Sequence, residues 1–279
     1  MNHLLCLGFG FTAQHLAARL VGQDWKISGT SRASTALMAE QGVTGYLFHE
    51  LQEIPSHVTH ILCSIPPDKD GCPAALKFAP QLSHPRAWTA YLSTTGVYGN
   101  HDGGWVDEDT PLTPNSDRAA RRVLAEQQWQ PYKAHIFRLP GIYGPGRSQL
   151  DSIQDGTARR VIKDNQIFSR IHVEDIAAIL EASINKPNPG RIYNVADDEP
   201  CPPQDVVAFA AKLLGLEPPP EIRFEDANLS PMARSFYDDS KRVSNKRIKQ
   251  ELGVRLKYPD YREGLRAILQ LSHPIRSEP

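Results

Sequence analysis

The chain has 279 residues, enough for one large core or for one core with a smaller appended part. Hydrophobic residues make up 40% and charged residues 23%, the ordinary mix of a globular protein, and a formal net charge of −1 gives no electrostatic ground for binding nucleic acid or an anionic membrane. The cysteines Cys6, Cys63, Cys72 and Cys201 form no Cys-x-x-Cys, so reduced thiols in a cytoplasmic protein are expected.

Met1 to Val21 is apolar, but no Lys or Arg precedes the run and glycines interrupt it, so it does not read as a signal peptide. No stretch is long and apolar enough to span a membrane. Leu4 to Leu7 suits a buried parallel strand. Ala13, Leu16, Ala17, Leu20 and Val21 then share one face of a helix, and Lys26 to Thr30 reads as the next strand. Together they make a strand–helix–strand unit. Val43 to Phe48, Ile61 to Ser64, Ala90 to Ser93 and His135 to Leu139 are also strand-like, with helices around Ala74 to Leu82 and Ser116 to Trp129. This alternation predicts an α/β fold, a doubly wound parallel sheet with helices on both faces. Beyond Pro140 the pattern loosens. Helices are expected at Val173 to Ile184, Gln204 to Leu214, Ser240 to Leu252 and Pro259 to Leu271, and a strand at Arg191 to Val195. The expected division is residues 1–140 as a dinucleotide-binding Rossmann domain and 141–279 as a smaller C-terminal substrate-binding part, with 171–196 returning to the Rossmann sheet.

Gly8-Phe9-Gly10-Phe11-Thr12-Ala13 is a Gly-x-Gly-x-x-Ala fingerprint lying between a strand and a helix, the context that makes the motif informative. Gly8 permits the tight turn, Gly10 lets the backbone approach a pyrophosphate, and Ala13 allows close helix–strand contact. The helix start at Phe11 and Thr12 offers unpaired N–H groups and a favourable dipole to phosphate. An NAD site would place Asp or Glu at the end of the second strand; here stand Ser31 and Arg32. Arginine can pair with a 2′-phosphate, so NADP is expected ahead of NAD. The plainer reading of Arg32 is a solvated surface side chain.

Several phrases then converge. Thr94-Thr95-Gly96-Val97-Tyr98-Gly99, Arg138 to Arg147, Arg170 to Ala177, Ile192 to Ala196, and Ser240-Lys241-Arg242 with Leu252-Gly253 follow one another in order over nearly the whole chain. They resemble the phrases of extended short-chain dehydrogenases/reductases, in the NAD-dependent epimerase/dehydratase-like family. The resemblance implies that Thr94 hydrogen-bonds the substrate oxygen. It implies that Ser64, Ile65 and Pro66 line the cofactor, and that Pro140, Gly141 and Ile142 lie beside the nicotinamide. It also implies a homodimer through helices flanking the active-site strand.

One departure stands out. The family's Tyr and Lys, four apart, fall where this chain has Arg118 and Arg122, in a register held by Pro114 before and Glu126 after. Guanidinium stays protonated at any working pH, so Arg118 cannot do the tyrosine's work. Arg122 keeps a positive charge and donors for the ribose. A literal Tyr-x-x-x-Lys, Tyr237 to Lys241, lies in the C-terminal third and is not taken as the catalytic pair, because context rather than pattern confirms a motif. Tyr98 and Tyr143 are the expected substitute proton donors, each with a packed structural tyrosine as the plainer alternative. Arg147, Arg159 and His172 are expected to face an anionic substrate; a mixed-charge solvated surface and a helix-bracing histidine are the alternatives. His57 and His60 have no cysteine or carboxylate cluster nearby, so no metal is expected.

These residues support an NADP-binding oxidoreductase or epimerase-like enzyme acting on a carbonyl or alcohol of an anionic small molecule, with a nucleotide sugar as one lead. Two alternatives stay open. One is a non-catalytic NADP-binding sensor that has lost the tyrosine. The other is a lyase or dehydratase that oxidises its substrate transiently.

Overall fold

The computed structural model describes residues 1–272. The central sheet has seven parallel strands: β1 (Asn2–Leu7), β2 (Trp25–Ser31), β3 (Thr44–Leu47), β4 (His60–Cys63), β5 (Trp88–Thr94), β6 (His135–Leu139) and β7 (Ile192–Asn194). Their order across the sheet is β7-β6-β5-β4-β1-β2-β3. The chain begins in the middle, winds outward through β2 and β3, then returns to β4 and winds the other way. Loops diverge where it reverses, between β1 and β4, and a crevice opens at the carboxyl ends of those strands.

Side chains on each strand alternate between two apolar layers. Leu4, Cys6, Leu62, Leu92 and Phe137 pack with α1 (Phe11–Leu20) and α3 (Val173–Asn185) on one face. Leu5, Leu7, Ile61, Cys63, Tyr91 and Ile136 pack on the other with α2 (Asp117–Trp129) and the short helices Pro73–Lys77 and Ala79–Leu82. The sequence suggested one helix from Ala74 to Leu82; the interruption at Phe78 precedes Pro80, whose ring cannot continue a helix interior. A smaller core joins Tyr143, Leu150, Val206, Ala210, Tyr261 and Leu265, contributed in part by α4 (Pro203–Leu213) and α5 (Tyr261–Ser272).

The C-terminal part is tied to the sheet by buried polar groups. The Asp175 carboxylate, in the first turn of α3, accepts from the backbone N–H groups of Lys257 (2.7 Å) and Tyr258 (3.0 Å). The helix expected over Ser240 to Leu252 begins only at Lys246. Upstream, Arg242–Val243 is a short strand beside Trp105–Val106, and its N–H groups are already taken: Arg242 donates to Gly104 O at 2.8 Å and Val243 to Ser169 Oγ at 3.0 Å. Among the described residues, no helix is long and apolar enough to cross a membrane.

Candidate functional site

The glycine turn after β1 is shaped by contacts on both sides. Gly8 has φ +90°, and a Cβ there would sit 2.9 Å from Ser64 Oγ. That hydroxyl donates to Gly8 O at 2.6 Å, while Gly8 N–H donates to Thr30 Oγ1 at 2.9 Å. Gly10 is the N-cap of α1 and brings no side-chain cap. A Cβ at Gly10 would meet nothing within 4 Å. The first N–H groups of α1 therefore open onto the crevice, where the helix dipole favours an anion. These features fit the diphosphate of a dinucleotide.

The crevice widens into a cleft of about 970 Å³. Gly10, Phe11, Thr12, Ser64, Thr94, Arg122, Pro140, Gly141 and Ile142 line it from the sheet side. Arg118, Arg147, Arg159, Arg170, Phe236 and Lys241 also line it. Arg118 stacks over Phe236 (5.5 Å) and Arg147 over Phe11 (5.7 Å). Arg159 donates to Asn228 O at 2.6 Å, and Arg170 to Cys201 Sγ at 2.8 Å. Among the described residues none of these arginines has a carboxylate partner at ion-pair distance, so their charge remains available to an anionic ligand. Ser31 ends β2, and Arg32 follows it, exposed and without a hydrogen bond among the described residues. Gly8, Ser31, Arg32, Ile65 and Pro66 lie outside the lining of the cleft proper.

Thr94 ends β5, and its hydroxyl accepts from Gly96 N–H at 3.2 Å. Arg122 projects from α2, half-buried, and donates from one nitrogen to Tyr91 Oη and to Leu92 O, both at 2.9 Å. Below this floor runs a buried polar chain. Ser93 Oγ donates to Glu126 Oε1 at 2.5 Å, and Arg138 grips the same carboxylate at 3.1 and 2.8 Å. Arg138 also donates to Tyr98 Oη at 2.9 Å, and Tyr98 donates to Asn194 Oδ1 at 2.8 Å. Asn194 N–H then donates to Glu108 Oε1 at 2.8 Å, and Glu108 lies 3.5 Å from Arg247.

Three expected roles do not match these placements. Tyr98 is fully buried, with both hydrogen-bonding directions of its hydroxyl occupied, and burial pushes its pKa up to about 12 against the pull of Arg138. It braces the floor and does not face the cleft. Tyr143 borders the cleft by its ring, but its hydroxyl is turned onto α5, 3.4 Å from Asp260 O. A Cβ on Gly264 would come within 2.2 Å of that hydroxyl, so the glycine makes room for it. Burial, reinforced by the nearby Asp197, raises the Tyr143 pKa well above the ordinary tyrosine range. His172 is buried and does not line the cleft; its Nδ1 accepts from Glu174 N–H at 3.2 Å and caps α3, and burial drops its pKa to about 4.

Other lining residues were not singled out as site residues. Arg170 ends the basic stretch from Arg147, which the resemblance turns towards the substrate, and it lines the cleft. Lys241 is buried at the cleft wall, donating to Gly99 O (2.7 Å) and Asp239 Oδ2 (3.0 Å). Burial lowers its pKa, with Asp239 opposing. Tyr237 lines the same cleft, its ring packed on Phe168 (5.5 Å) and Phe224 (5.2 Å). The literal Tyr-x-x-x-Lys from Tyr237 to Lys241 thus reaches the cleft from the C-terminal part, away from α2.

No family model matches the chain. A conserved protein of unknown function from Silicibacter pomeroyi is 51% identical, with 96% of this chain and 98% of that one covered at a TM-score of 0.93. The protein YeeZ of Escherichia coli K12 is 26% identical over 93% of this chain and 97% of its own length. A dTDP-glucose 4,6-dehydratase of Streptomyces griseus is 26% identical over 67% of this chain and 58% of its own. The fold recurs in a Bacillus anthracis dTDP-glucose 4,6-dehydratase in complex with NAD (16% identity; 99% and 97% covered; TM-score 0.74) and in the human epimerase family protein SDR39U1 with NADPH (15%; 97% and 99%; 0.77).

Homologues and structure neighbours of the chain are thus NAD-dependent epimerase/dehydratase-like members of the extended short-chain dehydrogenases/reductases, the family whose phrases its sequence resembles. Beside the pattern of that family, α2 is atypical. At the family's tyrosine position Arg118 is exposed and leans on Phe236, while Arg122, at the lysine position, is anchored to the floor of the cleft.

Proposed function

We propose that this protein is an NADP-dependent oxidoreductase or epimerase-like enzyme acting on a carbonyl or alcohol carbon of an anionic small molecule, a nucleotide-linked sugar being one candidate. The observation that supports it best is the open N-terminus of α1 sharing one cleft with arginines that, among the described residues, lack carboxylate partners at ion-pair distance. Gly10, Phe11 and Thr12 would hold the diphosphate, with Gly8 and Ser64 shaping the turn. Ser31 and Arg32 would hold the 2′-phosphate and Arg122 the nicotinamide ribose. Ile65 and Pro66 would flank the cofactor, and Pro140, Gly141 and Ile142 would lie against the nicotinamide. The bound cofactor supplies or accepts hydride at C4. Thr94 orients the substrate oxygen, and the Arg122 charge stabilises negative charge developing there. Lys241, which lines the cleft, or water carries the proton, since Tyr98 does not face the cleft and the Tyr143 hydroxyl is turned onto Asp260 O. Arg147, Arg159 and Arg170 hold the substrate's anionic group. In this reading 1–140 serves the cofactor, 141–279 the substrate, and the compartment is the cytoplasm.

A second reading, a non-catalytic NADP-binding sensor, is favoured by the exposed Arg118 in place of the proton donor. Fluorescence titration with NADPH and NADH, followed by turnover assays on phosphorylated and nucleotide-linked carbonyl compounds, separates the two. NADPH binding with consumption supports the enzyme, tight binding without turnover across the panel supports the sensor, and absence of NADPH binding defeats both.

A further inference from the structure

Cys63 is the last residue of β4, immediately before Ser64, and Cys72 immediately precedes the helix Pro73–Lys77. Both are free, fully buried thiols with their sulfurs 3.7 Å apart. The other two cysteines have different surroundings: Cys6 is in the apolar layer under α1, and Cys201 accepts from Arg170. We propose that Cys63 and Cys72 form a redox-modification site, which a two-electron oxidant of the peroxide class converts to a disulfide that loosens the cofactor cradle beside it. The second half of this proposal rests on the NADP reading; the first does not.

The two sulfurs are chemically unequal. With the Cys63 thiol donating to Cys72, the Cys72 thiolate is favoured against its burial, with help from the backbone N–H groups of Ala75 and Ala74. Burial pushes Cys63 the other way. This gives one nucleophile and one resolving thiol. The Cys72 thiolate attacks a peroxide oxygen, the O–O bond breaks, water leaves after protonation, and a sulfenic acid forms. Cys63 sulfur then attacks the sulfenic sulfur, releasing a second water and closing the S–S bond. The thiols lose two electrons and the peroxide gains them.

The backbone around the pair explains access and consequence. The connecting segment 64–71 is exposed from Asp68 to Asp70, where a tight turn is closed by Asp68 and the buried Gly71. Cys72 N–H is held by Gln128 Oε1 at 2.7 Å, and Gln128 in turn donates to Asp70 O at 2.8 Å. Releasing this one side chain opens the turn over Cys72. Cys63, by contrast, is fixed between β1 and β5. A disulfide needs a separation of about 2.0 Å, so the sulfurs must approach by well over an ångström. The strain falls on the segment that starts with Ser64 and Ile65, the residues that pack against Gly8.

The test uses the full chain. Reduced protein is treated with hydrogen peroxide, remaining thiols are alkylated, and peptides are mapped by mass spectrometry. The expected result is a Cys63–Cys72 cross-link, reversed by dithiothreitol, with Cys6 and Cys201 still alkylated. The cross-link persists in Cys201→Ser and disappears in Cys63→Ser and Cys72→Ser. NADPH titration of the oxidised protein should show an affinity about tenfold weaker than the reduced form. Thiols that survive peroxide, or a Cys72 carried to sulfinic acid without a cross-link, overturn the proposal. A disulfide that leaves NADPH affinity unchanged overturns the coupling. Reduced protein that does not bind NADPH defeats the proposed function and leaves the cross-link result to stand by itself.

Discussion

The two walls of the cleft are made of different material. The wall beneath α1 is largely main chain: the turn at Gly8 and Gly10, the helix start at Phe11 and Thr12, and the loop Pro140 to Ile142. The facing wall is side chain, with Arg118, Arg147, Arg159 and Arg170 supported by aromatic rings and carbonyls. A main-chain wall is set by the fold and admits few residue types. A wall of long cations can be rewritten without disturbing the core. Under the proposed function, cofactor recognition would belong to the first wall, and freedom to diverge in substrate to the second.

That contrast fails if the main-chain wall does not depend on the buried chain beneath it. Arg138→Leu leaves Glu126 buried without its cation and should cost about 3–5 kcal/mol in urea unfolding. Adding Glu126→Leu should recover much of the loss. A single-variant cost below about 1 kcal/mol would remove the floor from the account.

The next test concerns α3, where the C-terminal part is tied to the sheet. His172 is neutral when folded, with a pKa of about 4 against 6.5 for the free side chain. The unfolded state therefore binds the proton first. Stability is complete above pH 6.5 and falls as pH drops towards 4, by about 3 kcal/mol at most. His172→Asn keeps an N-cap acceptor, so unfolding at pH 7 should change little while this part of the acid sensitivity disappears.

Gly10→Asp probes the first wall directly. The site has room for the side chain, so the fold should survive, but a carboxylate at the helix start should weaken NADPH binding on the order of 100-fold. Unchanged affinity would move the cofactor elsewhere. The smallest effect is expected at Arg32→Ala: roughly tenfold weaker NADPH binding with NADH little changed. Equal losses for both would show that Arg32 does not read the 2′-phosphate.

Legibility followed the range of the interactions. The glycine turn and first helix were readable because strand, turn and helix adjoin in sequence. So were the seven strands, whose alternating residues fill two layers. The short strand Arg242–Val243 was read as helix because its partner, Trp105–Val106, lies far upstream. Tyr98 and Tyr143 sit in phrases that border the cleft, but the direction of a hydroxyl depends on partners elsewhere, Asn194 and Arg138 for one, Asp260 and the gap at Gly264 for the other. Lys241 reaches the cleft because Gly99 O and Asp239 hold it there, which no local pattern encodes.

The buried chain from Ser93 to Glu108 has a consequence for biosynthesis. Arg138 can reach Glu126 soon after both emerge from the ribosome, because they lie close in sequence. Tyr98 must wait for Asn194, and Glu108 for both Asn194 and Arg247. At roughly 5–20 residues per second, that interval lasts on the order of 5–20 s. Until then the far end of the nascent sheet exposes β6 without its neighbour β7, beside a tyrosine and a carboxylate that lack their final partners. The growing polypeptide therefore carries its most association-prone edge on the side that its last third is built to close.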